Sequence, residues 1–378
     1  MGLIPEVLIK PETLNSWLIN GYGVDTFGYN RMVILDVDNE KGYGNGHVPG
    51  AYLLENNSID LWSTRSNGIT EADYQVATRS QMDEIIRRTN IDVDAIVILT
   101  GSKMTEIARA YFNFRYWGFP KQQLKVLNGT KATYAARGFS LQTKTPPVPV
   151  PCQFSVCNTT GSDSFSEVRA SLEEMLSVAA DNDPDTIILD SRSPAEYAGT
   201  PGSTLLDSTA DKYVTFEGHI KTAVNINYKS FLNAQDSKVF LASKEDIMTI
   251  LSRDDIDKNK RIFVYGSKPP EDSLLFLILD AVFNWQVKFF EGGWSQWGQM
   301  AGNSLAKGGM LAEDSPWRTD TATLSESVAY NKSSGFSIEN EGAYDSYAKQ
   351  GDIIDNLNLE ICGKNKADLQ TAPLSPGY

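Results

Sequence analysis

The sequence predicts an α/β fold class: two three-layer α/β/α domains with parallel sheets, followed by an irregular C-terminal tail. Three observations support this prediction: an internal repeat, apolar strand-length segments that alternate with helix-like segments, and a Pro-rich stretch between the two copies. Continuous apolar strands are typical of a parallel sheet that is covered on both faces. Parallel strands also need helical crossovers, which place helices on those faces.

The repeat is clearest in two strands of each copy. The first strand spans Met32–Asp36 in one copy and Thr186–Asp190 in the other. A later apolar strand in each copy runs into the same tripeptide, Gly-Ser-Lys, at residues 101–103 and 266–268. Both copies are therefore expected to form the same kind of sheet, with the same loop after the later strand.

Composition indicates the domain boundaries. The chain has 378 residues, which exceeds a typical domain of ~100–150 residues. The Pro-rich stretch 145–151 can be neither helix nor central strand, so it separates a first domain, residues 1–145, from a second domain, residues 146–302. Residues 303–378 lose the apolar periodicity and are rich in Ser, Asn, Asp and Gly. We expect this extension to wrap over the domains or to be partly disordered.

Charge and composition exclude several classes of partner. The net charge of −14 disfavours nucleic acid, because a phosphate-binding face needs clustered Lys and Arg. No apolar run approaches the ~20 residues of a transmembrane segment, and no signal peptide is recognisable at the amino terminus. The chain has two histidines and no Cys-x-x-Cys pair, so we expect no metal site and no cofactor.

The three cysteines bear on the cellular compartment. Cys152 and Cys157 lie close together next to the Pro-rich stretch and are candidates for a small disulfide, with two reduced thiols as an equal alternative. Together with the acidic, Ser- and Asn-rich tail, this pair favours an extracytoplasmic location, periplasmic or at the cell surface. Cys362 lies in a segment that contains Gly and Lys, and it is a candidate reactive thiol.

Further motifs occur in both copies and in the same order. The first copy has Asp36, then Tyr43, then the run Gly46–Ala51, which reads Gly-His-Val-Pro-Gly-Ala. The second copy has Asp190-Ser-Arg192, then Gly218-His219-Ile220, and ends in Gly-Gly-Trp-Ser-Gln-Trp at residues 292–297. These motifs resemble those of the rhodanese family, specifically the tandem thiosulfate and mercaptopyruvate sulfurtransferases. The resemblance covers about residues 8–300 and implies the tandem α/β/α fold.

The resemblance also implies where an active site would lie. In such enzymes a cysteine opens the loop after the later strand, because a thiolate must attack and hold the sulfane sulfur. The aligned positions here are Gly101 and Gly266, so the resemblance implies that both copies lack the nucleophile. The family's substrate-facing arginine matches Arg192 in the second copy but Asp38 in the first.

The candidate ligand-binding residues are the matched arginine and the Ser-Lys pairs that follow the two glycines: Arg192, Ser267, Lys268, Ser102 and Lys103. We therefore predict a non-catalytic tandem rhodanese-like protein that acts as a binding or assembly module. Its expected ligand is a small sulfur- or selenium-type oxyanion or a protein partner, and an anion is expected in the second domain, since a guanidinium attracts it. The alternative is a thiosulfate/mercaptopyruvate-type sulfurtransferase that uses a non-standard thiol such as Cys362.

Overall fold

A computed structural model describes residues 6–66, 71–158, 167–181, 183–200, 202–207, 212–213, 216–235, 238–267, 270–298, 322–324, 354–355 and 362. The strands are β1 Leu8–Ile9, β2 Arg31–Asp38, β3 Tyr52–Glu55, β4 Ser63–Ser66, β5 Glu71–Gln75, β6 Ala95–Gly101, β7 Leu124–Leu127, β8 Thr186–Asp190, β9 Leu205–Asp207, β10 Lys212–Tyr213, β11 Phe216–Gly218, β12 Val224–Asn225, β13 Leu232–Gln235, β14 Lys238–Leu241, β15 Arg261–Tyr265, β16 Val287–Phe290 and β17 Ala322–Leu324. The helices are α1 Pro11–Asn20, α2 Glu40–Asn45, α3 Arg79–Thr89, α4 Met104–Tyr116, α5 Lys131–Ala136, α6 Leu172–Asp181, α7 Pro194–Tyr197, α8 Lys244–Leu251 and α9 Ser273–Leu277.

The first domain is built on a five-stranded parallel sheet in the order β1-β7-β6-β2-β3. All seven residues of the central strand β6 are buried, as expected for a strand covered by helices on both faces. Residues Val37 and Gly101 are neighbours in the register of β2 and β6. The loop after Gly101 therefore opens at the carboxyl edge of the sheet.

The second domain repeats this arrangement with a four-stranded parallel sheet in the order β12-β8-β15-β16. Asp190 and Tyr265 are register partners at the ends of β8 and β15, and Gly266 follows directly. The predicted α/β fold class with parallel sheets is thus confirmed. The exact boundaries of the two domains and of the extension stay predictions.

The two histidines occupy matching positions in the two copies. The His47 ring stacks on Tyr43 with 3.7 Å between ring centroids, and the His219 ring stacks on Tyr197 at 3.8 Å. In each copy the Nδ1 of the histidine also lies within hydrogen-bond distance of the backbone carbonyl of that tyrosine. Both rings are buried, so the motif histidines serve as packing groups of the fold.

The two domains pack through the helices that follow their Gly-Ser-Lys loops. Helix α4 of the first domain contacts α9 of the second, which continues as a π-helical turn over Ile278–Val282. The Phe112 ring meets Phe276 and Phe289 edge to face, at centroid distances of 5.2 and 5.0 Å. One hydrophobic core therefore runs through both domains, and this packing places the two loops at the same boundary.

Buried ion pairs cross the same boundary. Glu291 is bound by Arg109 and by Arg169, each at 2.9 Å. Asp280 is bound by Arg115 at 3.0 Å and by Lys121 at 2.9 Å. Burial alone would raise the pKa of Glu291 and of Asp280, but the neighbouring cations outweigh it and hold both pKa values below their ordinary range.

The described parts of the extension are docked on the domains. Strand β17 pairs antiparallel with β11 of the second domain. Ile354 is buried in the shared core, and Asp355 accepts hydrogen bonds from Tyr116 at 2.7 Å and from Arg169 at 3.1 Å. These contacts tie the extension to both domains, because Tyr116 and Arg169 belong to different halves of the chain.

The structure corrects the predicted disulfide. Cys157 is bonded to Cys362 of the extension, and Cys152 is the free cysteine. The Cys152 thiol lies against the backbone carbonyl of Ile91 at 3.0 Å, whereas Cys157 belongs to a short turn whose Val156 N–H is held by Asp83 at 2.9 Å. The two neighbours in sequence therefore contact different surroundings. Cys362, predicted as a possible reactive thiol, is not a thiol in this structure.

No helix in the described ranges has both the length and the apolar composition that crossing a membrane requires.

Candidate functional site

Arg192 lies two residues beyond β8, and the carboxylate of Asp190 neutralises its charge. Arg192 is buried, and its Nε and Nη2 bind the Asp190 carboxylate at 3.0 and 2.6 Å. Nη2 also donates to the Gly218 carbonyl at 2.5 Å, and the guanidinium lies 4.7 Å from the Trp294 ring centroid. Burial lowers the pKa of Arg192, but Asp190, Tyr265 and Glu196 together raise it by more, so this arginine keeps its charge in an internal ion pair with Asp190.

The loop after β15 is closed by a carboxyl group. A Cβ atom built on Gly266 would lie 1.8 Å from Cγ and Oδ1 of Asp272. Asp272 is buried, and its Oδ1 accepts a hydrogen bond from the Ser191 hydroxyl at 2.9 Å. The Asp272 side chain therefore fills the space into which any side chain at position 266 would project.

The Gly-Gly-Trp motif, residues 292–294, also contacts Gly266. The Trp294 backbone N–H donates to the Gly266 carbonyl at 2.7 Å. Gly293 has a positive φ of 52°, and a Cβ atom there would lie 2.3 Å from the Gly266 carbonyl oxygen. A glycine is needed at 293 because only it combines this conformation with so close a backbone contact.

A cavity of about 460 Å³ lies elsewhere between the domains. The cavity at the ends of β8 and β15 is lined by two of the predicted site residues, Arg192 and Ser267. This strand-end cavity has a volume of about 310 Å³. Its lining is mostly polar: Arg192, Ser193, Glu196, Ser203, Asn227, Tyr228, Lys229, Ser267, Glu271 and Asp272. We refer to it below as the second-domain cleft.

The described residues that line the second-domain cleft include three carboxyl groups, those of Glu196, Glu271 and Asp272. Burial, and then the neighbouring Glu271, raise the pKa of Asp272 well above its ordinary value, against the opposing effect of Ser191. Burial, and then Glu271, Asp272 and Glu196, raise the pKa of Tyr228 to about 12. Both shifts have the sign that a pocket rich in carboxyl groups produces, since each disfavours a further negative charge.

The equivalent loop of the first domain is closed differently. A Cβ atom on Gly101 would lie 2.5 Å from the backbone oxygen of Val37. Asp38 is bound by Lys131 at 2.7 Å and accepts a hydrogen bond from the Ser102 hydroxyl. Lys131 also binds Asp36 at 3.0 Å, so the charges at this edge are paired with one another.

The structure brings together only part of the predicted site. Arg192 and Ser267 line the second-domain cleft, whereas Ser102 and Lys103 belong to the other domain's loop, where Lys103 binds Glu106 at 2.9 Å. Lys268 lies outside the described residues. Whether any of these residues binds a ligand stays a prediction.

Sequence reasoning missed Asp272 and the hydrogen bond between Ser267 and Glu196. Glu196 accepts hydrogen bonds from Ser193 and, at 2.5 Å, from Ser267, so it fixes the loop after Gly266. The available signal was a carboxylate six residues after the glycine, but the sequence does not show that Asp272 lies against Gly266. No group of three His, Cys, Asp or Glu suited to a metal ion occurs among the described residues.

Two parallel sheets, each with a loop at its carboxyl edge, define a tandem α/β protein. Residues 171–300 match the family model of the Rhodanese-like domain. It is 25% identical over 309 residues, 80% of this chain and 98% of the relative, to the sulfur carrier protein TtuD of Thermus thermophilus. It is 24% identical to a putative thiosulfate sulfurtransferase of Haloferax volcanii, over 80% of this chain and 97% of the relative.

Solved structures show the same fold. The 3-mercaptopyruvate sulfurtransferase of Leishmania major superposes with a TM-score of 0.56 at 17% identity, over 77% of this chain and 74% of that one. A variant of EanB in complex with ergothioneine superposes with a TM-score of 0.59 at 18% identity, over 79% of this chain and 69% of that one. At these identities the likeness establishes the fold alone.

Proposed function

We propose that this rhodanese-like protein is a non-catalytic binding or assembly module, with the second-domain cleft as its ligand site. The observation that carries the proposal is the Asp272 carboxyl group in contact with Gly266, the position at which the family resemblance places the nucleophilic cysteine. A carboxylate there neither attacks a sulfane sulfur nor leaves room for a thiol that would.

The positions of the cysteines support this proposal. Cys152 is held against a carbonyl of the first domain, and Cys157 and Cys362 are joined to each other. None of the three is among the described residues that line the second-domain cleft. The alternative, a sulfurtransferase that uses Cys362, would first require reduction of the Cys157–Cys362 disulfide and then movement of the docked extension.

The disulfide also supports the proposed location. Disulfides persist in oxidising compartments and are rare where thiol reductants are abundant. The Cys157–Cys362 bond connects residues 205 positions apart, so it fastens the extension to the folded domains. We propose on this basis an extracytoplasmic location. Mass spectrometry after thiol blocking should find one blocked cysteine in the native protein and three after reduction.

The proposed function is tested by release of thiocyanate from thiosulfate or mercaptopyruvate in the presence of cyanide. A curated relative, the thiosulfate sulfurtransferase of Pseudomonas aeruginosa, which is 22% identical, serves as the positive control. We expect no release above the rate without protein, with or without a reductant. Turnover that appears only with the reductant and is lost in Cys362→Ser would establish the alternative. Turnover in the absence of the reductant would refute the proposal outright.

A further inference from the structure

The extension places a carboxylate on a buried arginine at the boundary between the domains. Oδ2 of Asp355 binds Nη1 of Arg169 at 3.1 Å, and its Oδ1 accepts a hydrogen bond from the Tyr116 hydroxyl at 2.7 Å. The preceding residue, Ile354, is buried in the core that both domains share. An apolar side chain followed directly by a carboxylate is therefore the chemistry that this site accepts.

The domains themselves supply less negative charge than the buried arginines need. Arg109 and Arg169 both bind Glu291 at 2.9 Å, so they share this carboxylate, and Asp355 adds a second one. Burial acts to lower the pKa of Arg169, but Asp355 and Glu291 raise it above its ordinary value. Because a buried ion pair that loses one partner is strongly destabilised, the site needs an anionic group where Asp355 lies.

The disulfide holds this carboxylate close to its site. Cys362 lies seven residues after Asp355 and is bonded to Cys157. Cys157 belongs to a short turn that is fixed on helix α3, where Asp83 accepts a hydrogen bond from the Val156 N–H at 2.9 Å. With the disulfide intact, Asp355 therefore stays within the reach of seven residues, about 25 Å, of a fixed point on the first domain.

Without the disulfide, the next described attachment of the extension is much farther along the chain. Strand β17 ends at Leu324, 30 residues before Ile354. The entropic cost of closing a loop grows with its length, so a tether of 30 residues gives roughly a tenfold lower effective concentration than one of seven. The disulfide thus sets how strongly Asp355 competes for Arg169.

We propose that Arg169 and Tyr116 form a docking site for a polypeptide segment in which an apolar residue precedes a carboxylate. The disulfide keeps the chain's own segment in this site, and reduction by a dithiol admits the same kind of segment from a second polypeptide. In that reduction the dithiol gives up two electrons and two protons, the Cys157–Cys362 bond breaks to two thiols, and the reductant closes its own disulfide. Neither Arg169 nor Tyr116 lines the second-domain cleft, so this inference goes beyond the proposed function and does not depend on it.

The experiment uses the full chain and a fluorescent synthetic peptide that copies residues 351–359, Gly-Asp-Ile-Ile-Asp-Asn-Leu-Asn-Leu. Fluorescence anisotropy measures peptide binding to the oxidised protein, to the protein reduced with dithiothreitol and to Cys362→Ser. We expect at least about tenfold tighter binding to the last two, because the competing segment is then held by the longer tether. Cys152→Ser keeps the disulfide and should bind the peptide as weakly as the oxidised wild type.

Two changes test the chemistry of the site in the Cys362→Ser background. A peptide that carries Asp355→Asn should bind at least about tenfold more weakly, because it loses the charge-assisted hydrogen bond to Arg169. Tyr116→Phe in the protein removes one hydroxyl donor and should weaken binding of the unchanged peptide by about fivefold. Tyr134→Phe, which removes a hydroxyl bonded to Asn15, is the matched control and should leave binding within about twofold.

Circular dichroism checks that the reduced protein and Cys362→Ser stay folded, which the inference requires. Unfolding of both, equal peptide binding to the oxidised and the reduced protein, or no binding to the reduced protein into the millimolar range would each overturn the inference. Equal binding of the two peptides would overturn it as well. Thiocyanate release is measured separately and bears on the proposed function alone, so the two failures are distinguishable.

Discussion

The first and second domains present the same loop at the same sheet edge, but they close it by different means. In the first domain the strand-end carboxylates Asp36 and Asp38 are both bound by Lys131, and the backbone of Val37 contacts Gly101. In the second domain Arg192 binds one carboxylate, that of Asp190. Asp272 lies against Gly266, and the second-domain cleft is beside it.

The space beside the loop glycine is therefore filled by backbone in one copy of the fold and by a side chain in the other. A backbone contact is fixed by the sheet, so the first loop has little freedom to change. A side-chain contact can move by rotation about Cα–Cβ, and its carboxyl group also responds to pH. The second domain is therefore the one in which ligand binding and substitution should have graded effects.

The largest expected effect concerns the residue after the last sheet strand of each domain. Glu291 is bound to two buried arginines, whereas the side chain of its counterpart Asn128 accepts a hydrogen bond from the Leu241 backbone N–H at 3.3 Å. Glu291→Ala should lower the free energy of unfolding by about 3–5 kcal/mol, because it leaves Arg109 and Arg169 buried without this partner. Asn128→Ala, the matched control, should cost about 1 kcal/mol.

Denaturant unfolding at several pH values measures both variants. The pKa of Glu291 is held below its ordinary 4.5, so its contribution is present above that pH and is lost as the pH falls through the lowered value. The difference between wild type and Glu291→Ala should therefore narrow in acid. Equal costs at positions 291 and 128 would contradict the contrast between the domains.

The docked extension should stabilise strand β11 of the second domain, because β17 pairs with it. Cys362→Ser removes the only disulfide recorded in the described residues and should cost about 3 kcal/mol. Because β17 pairs with β11, amide exchange should accelerate in Phe216–Gly218 and remain slow in β6 of the first domain. Cys152→Ser, which alters a cysteine outside the disulfide, is the control, and equal exchange in both variants would contradict this role of the extension.

Alanine substitutions at Gly101 and Gly266 compare the backbone contact of the first domain with the side-chain contact of the second. Gly101→Ala should cost about 2–3 kcal/mol, because its Cβ would meet the Val37 backbone oxygen, which cannot move without distorting β2. Gly266→Ala should cost about 1 kcal/mol, because the Asp272 side chain can rotate away. Adding Asp272→Ala should make Gly266→Ala nearly neutral, and a double-mutant cycle of thermal unfolding without such coupling would count against this contact.

The smallest effect is a pH dependence at Asp272. Its folded pKa is raised, so the stability it permits is fully present below about pH 4 and declines as the pH rises toward neutrality. Asp272→Asn imitates the protonated form and should raise the melting temperature by about 2 °C at pH 7 while having no effect at pH 4. Lys229→Gln, at the exposed rim, is the control, and a pH-independent gain in Asp272→Asn would refute this assignment.

The sequence by itself determined the fold class and the repeat. Strands such as β6 and β15 are short apolar runs that end at a glycine or directly before one, and that pattern indicates a covered parallel sheet. The family motifs likewise identified Arg192, Gly101 and Gly266 as the positions aligned with the family's arginine and nucleophile, because these motifs are short and continuous in sequence.

Only the tertiary structure decided which groups meet. The pairing of Cys157 with Cys362 joins residues 205 positions apart, and a spacing rule favoured the nearer Cys152. The partner of Arg192 and the contact of Asp272 with Gly266 depend on how the loops fold back, to within an ångström or two. Hydrophobic periodicity fixes which face of an element is buried, but the charge of a cleft depends on the side chains that non-local packing places beside it.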